Sequence, residues 1–173
     1  MSSNKFFTDL IKISIGTADI AVFNPSPEEW ETLYNEARRQ SLLGICFAGV
    51  RRVRLFQQAQ GLETIPASLY LKWLGVASRI MQRNEKMSKQ CLEVQKAFQN
   101  AGFGSYILKG QGIETFYDAP LRGLRQSGDI DIYVDGGRDM VHKVAEVYKI
   151  DIPHWFYKDI GLSIFKDTEV ECH

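Results

Sequence analysis

The chain has 173 residues, and its 21 Lys and Arg residues equal its 21 Asp and Glu residues. Apolar residues make up 45% of the sequence, which is enough for a compact core and excludes a globally disordered chain. The neutral balance argues against a nucleic-acid surface built on net charge alone, although it permits a local basic patch.

The cysteines and the first residues indicate a reducing compartment. Cys46, Cys91 and Cys172 are far apart and odd in number, and they form neither a zinc-ligand spacing nor a disulfide framework. The opening stretch MSSNKFFTDLIKISIG lacks a long apolar segment with a small-residue cleavage site. No stretch is long and apolar enough to span a bilayer. We therefore expect a cytoplasmic protein with no membrane contact.

Residues 1–100 are predicted to form a helical N-terminal region. The stretch SPEEW begins a helix, because Ser26 can cap it, Pro27 suits its first turn and Glu29 completes a capping box. The segment SLLGICFAGVRRVRLF is predicted to form the next helix. Its arginines are most simply a solvated helix face, with phosphate contact as the alternative: Arg51, Arg52 and Arg54.

A third helical stretch is predicted from Pro66 to Asn100. It is longer than a usual globular helix, so the sequence allows a break near Gly75 or Asn84. Apolar residues at helical spacing are predicted to pack as core against the second half of the chain: Leu69, Trp73, Val76, Ile80, Met87, Cys91, Val94 and Phe98.

Residues 101–173 are predicted to form a small sheet with short helices. In chain order the segments are a strand in SYILKG, a short helix in IETFYD, a loop in PLRGLRQSG and a strand in DIDIYV. An amphipathic helix in RDMVHKVAEVYKI and two or three short strands in PHWFYKDIGLSIFKDTEVECH follow. This order predicts an α+β or α/β sheet beside the helical region.

The stretch GDIDIYV carries two aspartates on one side of its strand. Residues two apart on a strand face the same way, so Asp129 and Asp131 project together while Ile130 and Ile132 face a core. Two close carboxylates repel each other unless a positive group lies between them, and Mg²⁺ prefers such oxygen ligands. The alternative is that Asp129 ends a loop and Asp131 is solvated on the outer face of an edge strand. Asp-x-Asp alone does not separate the two.

Neighbouring residues favour a phosphate-binding site. The stretch LKGQG puts Lys109 and Gly110 between a strand and a helix, where backbone N–H groups can approach a phosphate closely. Arg122 and Arg125 lie in the loop before the aspartates, and either could reach a triphosphate. Each of these side chains could instead be an ordinary surface charge.

The stretch ILKGQGIETFYDAPLRGLRQSGDIDIYV resembles the uncharacterised nucleotidyltransferase family of the DNA polymerase β-like superfamily. The family pattern is an apolar strand ending in Lys-Gly, a helix with Tyr and Pro near its end, an arginine-containing loop and Gly-Asp-h-Asp-h. The matching positions are Lys109, Gly110, Tyr117, Pro120, Arg122 or Arg125, Gly128, Asp129 and Asp131. The resemblance implies an α+β fold in which a helical region, residues 1–100, packs on a small mixed sheet, residues 101–173.

The resemblance also implies a third carboxylate on a later strand. In EVECH this would be Glu171, followed by His173, with Glu169 as the competitor and Asp167 as a weaker candidate. The implied metal ligands and catalytic residues are Asp129, Asp131 and Glu171, and the implied ions are Mg²⁺ or Mn²⁺. The implied nucleotide-binding residues are Lys109, Gly110, Gln111, Arg122, Arg125 and Gly128.

The chain departs from the family pattern in two ways. Gly110 is followed by Gln111 where the superfamily has Gly-Ser or Gly-Gly. The chain also ends at His173, on the strand that should carry the third acid, so we expect a core that is truncated at its C-terminal end. His142 is predicted to lie on a helix surface and His154 to pack at a strand start.

Three function classes follow. The first is a metal-dependent nucleotidyltransferase that moves a nucleoside monophosphate from an NTP to a hydroxyl of a small molecule, protein or RNA. The second is a catalytically inactive nucleotide-binding or partner-binding module with the same fold, which the truncation and Gln111 motivate. A weaker third is an Asp-x-Asp glycosyltransferase, for which the chain lacks a Rossmann-like series of strands. The sequence defines neither the acceptor nor the oligomeric state.

Overall fold

The computed structural model describes residues 2–156 and 159–173. The chain divides into two compact units, Met1–Gln82 with Asp118–Gln126 and Arg83–Tyr117 with Ser127–His173. Tyr157 and Lys158, in the segment predicted to form strands, lie outside the described residues. None of the helices within the described ranges is long and apolar enough to cross a membrane.

The first unit is helical. It contains α1 (Ser2–Ser14), α2 (Pro27–Arg39), α3 (Leu43–Ala59) and the first part of α4 (Ala67–Asn100). Large apolar side chains from all four helices form its core, among them Leu10, Trp30, Phe47 and Trp73.

The predicted start of α2 is confirmed. Ser26 Oγ accepts a hydrogen bond from the Glu29 backbone N–H, and the Glu29 carboxylate accepts one from the Ser26 N–H at 2.8 Å. This reciprocal capping box satisfies two donors that a helix start otherwise leaves open. Pro27 occupies the first turn, where its missing N–H costs nothing.

Helix α4 runs for 34 residues without the break that the sequence allowed. Its apolar stripe is divided between two cores, which corrects the prediction that the whole stripe packs against the second half of the chain. Leu69 and Trp73 are buried with the helices of the first unit. Four residues further along are buried with the sheet of the second unit: Met87, Cys91, Val94 and Phe98. The stripe continues through both cores, so its period alone does not show where one core ends.

The second unit is built on a five-stranded mixed sheet, so the α+β class is confirmed. The strands follow the spatial order β1-β2-β5-β4-β3. Their bounds are β1 Ser105–Ile107, β2 Asp129–Val134, β3 His154–Trp155, β4 Ile160–Leu162 and β5 Glu169–Cys172. Strands β2 and β5 are parallel, and the other neighbouring pairs are antiparallel.

Two connections differ from the predicted boundaries. The short helix that was predicted within IETFYD is α5 (Lys109–Glu114), so it begins four residues earlier, directly after β1. A 3-10 turn at Ala119–Leu121 overlaps the start of the predicted loop PLRGLRQSG.

The predicted amphipathic helix is present as α6 (Arg138–Tyr148). Its Val141, Val144 and Ala145 are buried.

The two faces of β2 differ in chemistry as the alternation predicts. Ile130, Ile132 and Val134 are buried with apolar residues of α4, α6, β4 and β5. Asp129 and Asp131 lie on the opposite face because side chains alternate along a strand. Because β2 lies between β1 and β5, both aspartates lie within the sheet face and not on an edge strand.

Candidate functional site

Four carboxylates lie on one face of the sheet because of the register between β2 and β5. Asp129 pairs with Glu169 and Asp131 pairs with Glu171. Paired residues of neighbouring strands project to the same face, so Asp-x-Asp on one strand lies beside Glu-x-Glu on the next. This parallel pairing brings together segments that are about 40 positions apart in the chain.

Asp131 is the most buried of these carboxylates, with 5% of its surface exposed. Strand β2 has neighbours on both sides. The alternative in which Asp131 is a solvated residue of an edge strand is therefore wrong. Asp131 Oδ1 accepts a hydrogen bond from Lys109 Nζ at 2.6 Å and lies 2.8 Å from His173 Nε2.

These contacts keep Asp131 ionised. Burial opposes ionisation, but the hydrogen bonds from Lys109 and His173 outweigh it and lower the pKa of the Asp131 carboxyl. The hydrogen bond to Asp131 in turn raises the pKa of Lys109. Asp131 is thus a fixed anion. One of its two carboxylate oxygens, Oδ1, already contacts Lys109 and His173.

Glu171 shows the opposite behaviour. Burial raises the pKa of its carboxyl, and the negative charges of Asp129, Asp159, Asp131 and Glu169 raise it further. Burial and repulsion from these carboxylates therefore outweigh the attraction of the nearby Lys109 ammonium for the Glu171 charge. A bound cation would relieve this repulsion and lower the pKa of Glu171.

The donor atoms form two overlapping groups that could hold a metal ion. In one, ligand atoms of Asp131, Glu171 and His173 lie within 4.8 Å of one another, and in the other the same holds for His154, Glu169 and Glu171. Their carboxylate oxygens and excess negative charge fit a hard divalent cation such as Mg²⁺ or Mn²⁺. Among the described residues, Asp129 belongs to neither group.

His154 and His173 were not among the predicted site residues. For His173 the signal was present, since an apolar-acid-apolar stretch is followed directly by histidine in EVECH. His154 reaches the cluster from β3, where its imidazole lies over Gly161 of β4. Its two ring nitrogens lie 3.3 Å from Asp159 and 3.5 Å from Glu169. This arrangement depends on the register of three strands, and no local pattern in the sequence indicates it.

The Lys-Gly step adopts an unusual backbone. Lys109 has φ 41°, a left-handed conformation that most side chains disfavour, and Gly110 has φ 1° and ψ −105°, outside the helical region. This turn at the end of β1 directs the Lys109 ammonium to Asp131. The Gln111 carboxamide donates to Asn84 Oδ1 at 3.3 Å. The step therefore joins the strand end, the aspartate and helix α4.

The other predicted nucleotide-binding residues lie in different places. Gly128 is exposed directly before β2, and its carbonyl accepts a hydrogen bond from Arg83 at 3.1 Å. Arg122 is exposed and Arg125 half-buried, and both belong to the first unit rather than the unit that carries the carboxylates. The roles of all three residues stay predictions.

Comparison with known proteins places the chain in one family. Residues 26–148 match the family described as uncharacterised nucleotidyltransferase. This range includes the Lys-Gly step and both aspartates and ends before β3, so Glu171 and His173 lie outside it. No curated protein and no solved structure matches the chain significantly. The match covers well over half of the sequence, and the chain therefore belongs to the uncharacterised nucleotidyltransferase family.

Proposed function

We propose that the chain is a metal-dependent nucleotidyltransferase with a polymerase β-like core. It moves a nucleoside monophosphate from an NTP to the hydroxyl of an acceptor, which is a small molecule, a protein or RNA. The observation that carries the proposal is the register that sets Asp131 beside Glu171 on parallel strands of a chain with the family's Lys-Gly and Asp-x-Asp pattern.

The carboxylates of Asp129, Asp131 and Glu171 hold the metal in this proposal. Bound there, Mg²⁺ or Mn²⁺ would neutralise the triphosphate and stabilise the attacking and leaving oxygens. Asp131 supplies a fixed anion because it is buried and held by Lys109 and His173. In this proposal Glu171 also accepts the proton of the acceptor hydroxyl, as carboxylates do in general base catalysis.

The Lys-Gly step holds the triphosphate. The exposed Lys109 ammonium sits between Asp131 and solvent, where it can also contact an incoming phosphate. Gly110 and Gln111 present backbone N–H groups at the strand end, and Gly128 leaves space in front of β2. Arg122 and Arg125 are proposed to stabilise charge on the phosphates. Positioning and electrostatic stabilisation supply most of the rate in such a reaction.

The test is NTP binding followed by transfer. We would measure the melting temperature with each of the four NTPs, with and without Mg²⁺, and then assay incorporation of α-³²P-labelled nucleotide into candidate acceptors. A ligand at about a hundredfold excess over its Kd stabilises the folded state by about 2.7 kcal/mol, so binding is readily detected. Glu171→Gln should abolish the part of the NTP-induced increase in melting temperature that depends on Mg²⁺. No Mg²⁺-dependent shift and no labelled product with any NTP would refute the proposal.

One observation favours a second function, a nucleotide-binding module without catalysis. Lys109 and His173 both contact Oδ1 of Asp131, so only Oδ2 remains for a metal unless one contact is released. Gln111 also replaces the residue that the superfamily places after the glycine. Mg²⁺-independent NTP binding without any labelled product would support this second function.

A further inference from the structure

A histidine and two glutamates meet on one face of the sheet because three strands share one register. His154 of β3 pairs with Gly161 of β4, and Gly161 pairs with Glu171 of β5. Paired residues project to the same face, so His154 and Glu171 lie on either side of a residue that has no side chain. Glu169 lies two residues before Glu171, on the same face. Ligand atoms of the three residues lie within 4.8 Å of one another, and we call them the His154 group.

We infer that the His154 group binds a Zn²⁺ ion. This site is distinct from the Mg²⁺ site of the proposed function, although Glu171 belongs to both. An imidazole together with carboxylates is a donor set of zinc sites, whereas Mg²⁺ is bound through oxygen ligands. The inference does not depend on nucleotide transfer, because it concerns metal binding by the protein alone.

The spacing of the ligand atoms fits a tetrahedral ion. His154 Nδ1 lies 3.5 Å from Glu169 Oε1. A hydrogen bond between N–H and oxygen is about 2.7–3.2 Å long, so this contact is too long to be a good one. Two ligands at about 2.0–2.2 Å from a tetrahedral Zn²⁺ are about 3.4 Å apart. Neighbouring ligands in the octahedral shell of Mg²⁺ are only about 2.9 Å apart, so the spacing favours zinc.

Asp159 is placed to orient the imidazole. His154 Nε2, the ring nitrogen that does not face Glu169, lies 3.3 Å from Asp159 Oδ1. A metal-binding histidine usually directs its second nitrogen to a carboxylate or a carbonyl, which fixes the tautomer and leaves the first nitrogen as the ligand. Asp159 is therefore a positioning residue of this site, and His154 Nδ1 is the ligand atom.

Packing holds the imidazole in place before any metal binds. A Cβ on Gly161 would lie 2.2 Å from the ring, so the glycine leaves the space that the ring occupies over β4. The ring of Phe156 stacks on the imidazole, with 5.0 Å between the centroids and 26° between the planes. Only 19% of the His154 side chain is exposed. A ligand that is already held by its neighbours loses little conformational freedom when it binds a metal.

Glu171 supplies a carboxylate that can bind a cation directly. No residue in the described ranges donates a hydrogen bond to it that would have to be broken first. The ammonium of Lys109 contacts Asp131 instead. The negative charges of Asp159 and Glu169 act on Glu171, and a divalent cation between the carboxylates removes this repulsion.

The test is Zn²⁺ binding by the full chain without nucleotide. After removal of metals with a chelator and dialysis, we would titrate the native chain and three variants with Zn²⁺ by calorimetry. The native chain should bind one Zn²⁺ ion that about a hundredfold excess of Mg²⁺ does not displace. Asp159→Asn should weaken binding about 10–100-fold, as loss of the outer partner of a metal-binding histidine usually does. His154→Asn and Glu169→Gln, which remove ligands, should weaken it about 100-fold or more.

A second readout reports the geometry of the site. Co²⁺ bound in place of Zn²⁺ should show the intense visible absorption of a four-coordinate ion, and this absorption should be lost in His154→Asn. Glu169 is 53% exposed, so Glu169→Gln tests the site even if His154→Asn does not fold. His142→Asn is the matched control, because His142 of α6 also lies 3.3 Å from a carboxylate, that of Glu146, outside the His154 group. It should bind Zn²⁺ as the native chain does.

Three results would overturn the inference and leave the proposed function standing. They are no Zn²⁺ binding by the native chain, ready displacement of Zn²⁺ by Mg²⁺, and His154-group variants that bind as His142→Asn does. Loss of binding in His173→Asn but not in His154→Asn would also overturn it, because the ion would then lie at Asp131. Absence of NTP binding would instead refute the proposed function and leave this inference standing, since the titration contains no nucleotide.

Discussion

The ammonium of Lys109 lies 2.6 Å from the Asp131 carboxylate, at a point where the aspartate is buried and the lysine is exposed. This difference in burial defines the role of each residue in the ligand-free protein. The aspartate depends on the lysine for charge compensation, because a buried carboxylate without a partner is costly. The lysine, with solvent around it, can contact a phosphate while it keeps its hydrogen bond to Asp131.

Replacing Lys109 by methionine should destabilise the folded chain. The change leaves Asp131 with His173 as its hydrogen-bond partner at this oxygen. We expect the melting temperature to fall by about 2–4 °C in a thermal scan without ligand. Lys86→Met is the matched control, because Lys86 forms an ion pair of the same length, 2.6 Å, with the exposed Asp167. Exposed pairs contribute little, so the control should change the melting temperature by about 1 °C or less.

The difference between native and Lys109→Met should depend on pH in a defined way. The pKa of Asp131 is lowered from 3.8, so its contribution is present above that value and is lost as the pH falls through the lower folded-state pKa. The pKa of Lys109 is raised from 10.5, so its contribution is lost only as the pH rises through the higher folded-state pKa. Measured in a His173→Asn background, which removes the other group that contacts Asp131 Oδ1, the difference should therefore be constant from about pH 5 to about pH 9. A difference that changes within this window would argue against the pair as its source.

Replacing Glu171 by glutamine should stabilise the chain when no metal is bound. The raised pKa of Glu171 means that the folded state holds its proton more tightly than the unfolded state does. Stability thus falls as the pH rises from the ordinary value of 4.5 to the folded-state pKa, and the penalty persists at neutral pH. In EDTA at pH 7, Glu171→Gln should melt about 1–2 °C higher than the native chain, a modest gain because solvent screens the repulsion.

The same variant tests the assignment of the third carboxylate. With Mg²⁺ and an NTP, Glu171→Gln should lose the ligand-induced stabilisation that the native chain shows. Glu169→Gln is the matched control, since Glu169 lies two residues earlier on the same face of β5 and is more exposed. It should keep this stabilisation. The reverse result would assign the third carboxylate to Glu169.

Local signals in the sequence predicted most of the secondary structure. The capping box at Ser26 and the alternation in DIDIYV depend only on neighbouring residues, and both are present in the structure. The division of the α4 stripe between two cores was not predictable in this way. Leu69 and Phe98 have the same periodicity, and their different partners depend on which distant segments fold onto each part of the helix.

The candidate site was predictable to a similar degree. Asp129 and Asp131 could be placed on one face from their spacing alone. The side-by-side arrangement of Asp131 and Glu171 needed the family resemblance, because parallel pairing of distant strands leaves no local pattern. His154 was missed because it enters the cluster across β4, over a glycine whose role shows only in three dimensions.

Adding a methyl group at Gly161 should displace His154. A Cβ at this position would lie 2.2 Å from the imidazole, and the ring would have to leave the carboxylates of Asp159 and Glu169. We expect Gly161→Ala to lower stability by about 1–3 kcal/mol in urea unfolding, the usual cost of an inserted methyl group in a packed site. His154→Ala is the control, because it measures how much stability is lost when the imidazole ring is absent. The double variant should be more stable than Gly161→Ala alone, because the added methyl group then has space; equal or lower stability would show that the clash involves other atoms.

Two glycines in helices should respond in opposite directions to alanine. Gly75 lies within α4, and a Cβ there would meet nothing within 4 Å. Gly75→Ala should therefore stabilise the chain by about 0.5–1 kcal/mol, because alanine loses less backbone entropy on folding. Gly44 lies in α3, where a Cβ would be 2.0 Å from the backbone oxygen of Leu124, so Gly44→Ala should cost about 1–3 kcal/mol. Urea unfolding of both variants measures the two effects. If Gly44→Ala were as stable as the native chain, the close approach of the 118–126 segment to α3 would be refuted.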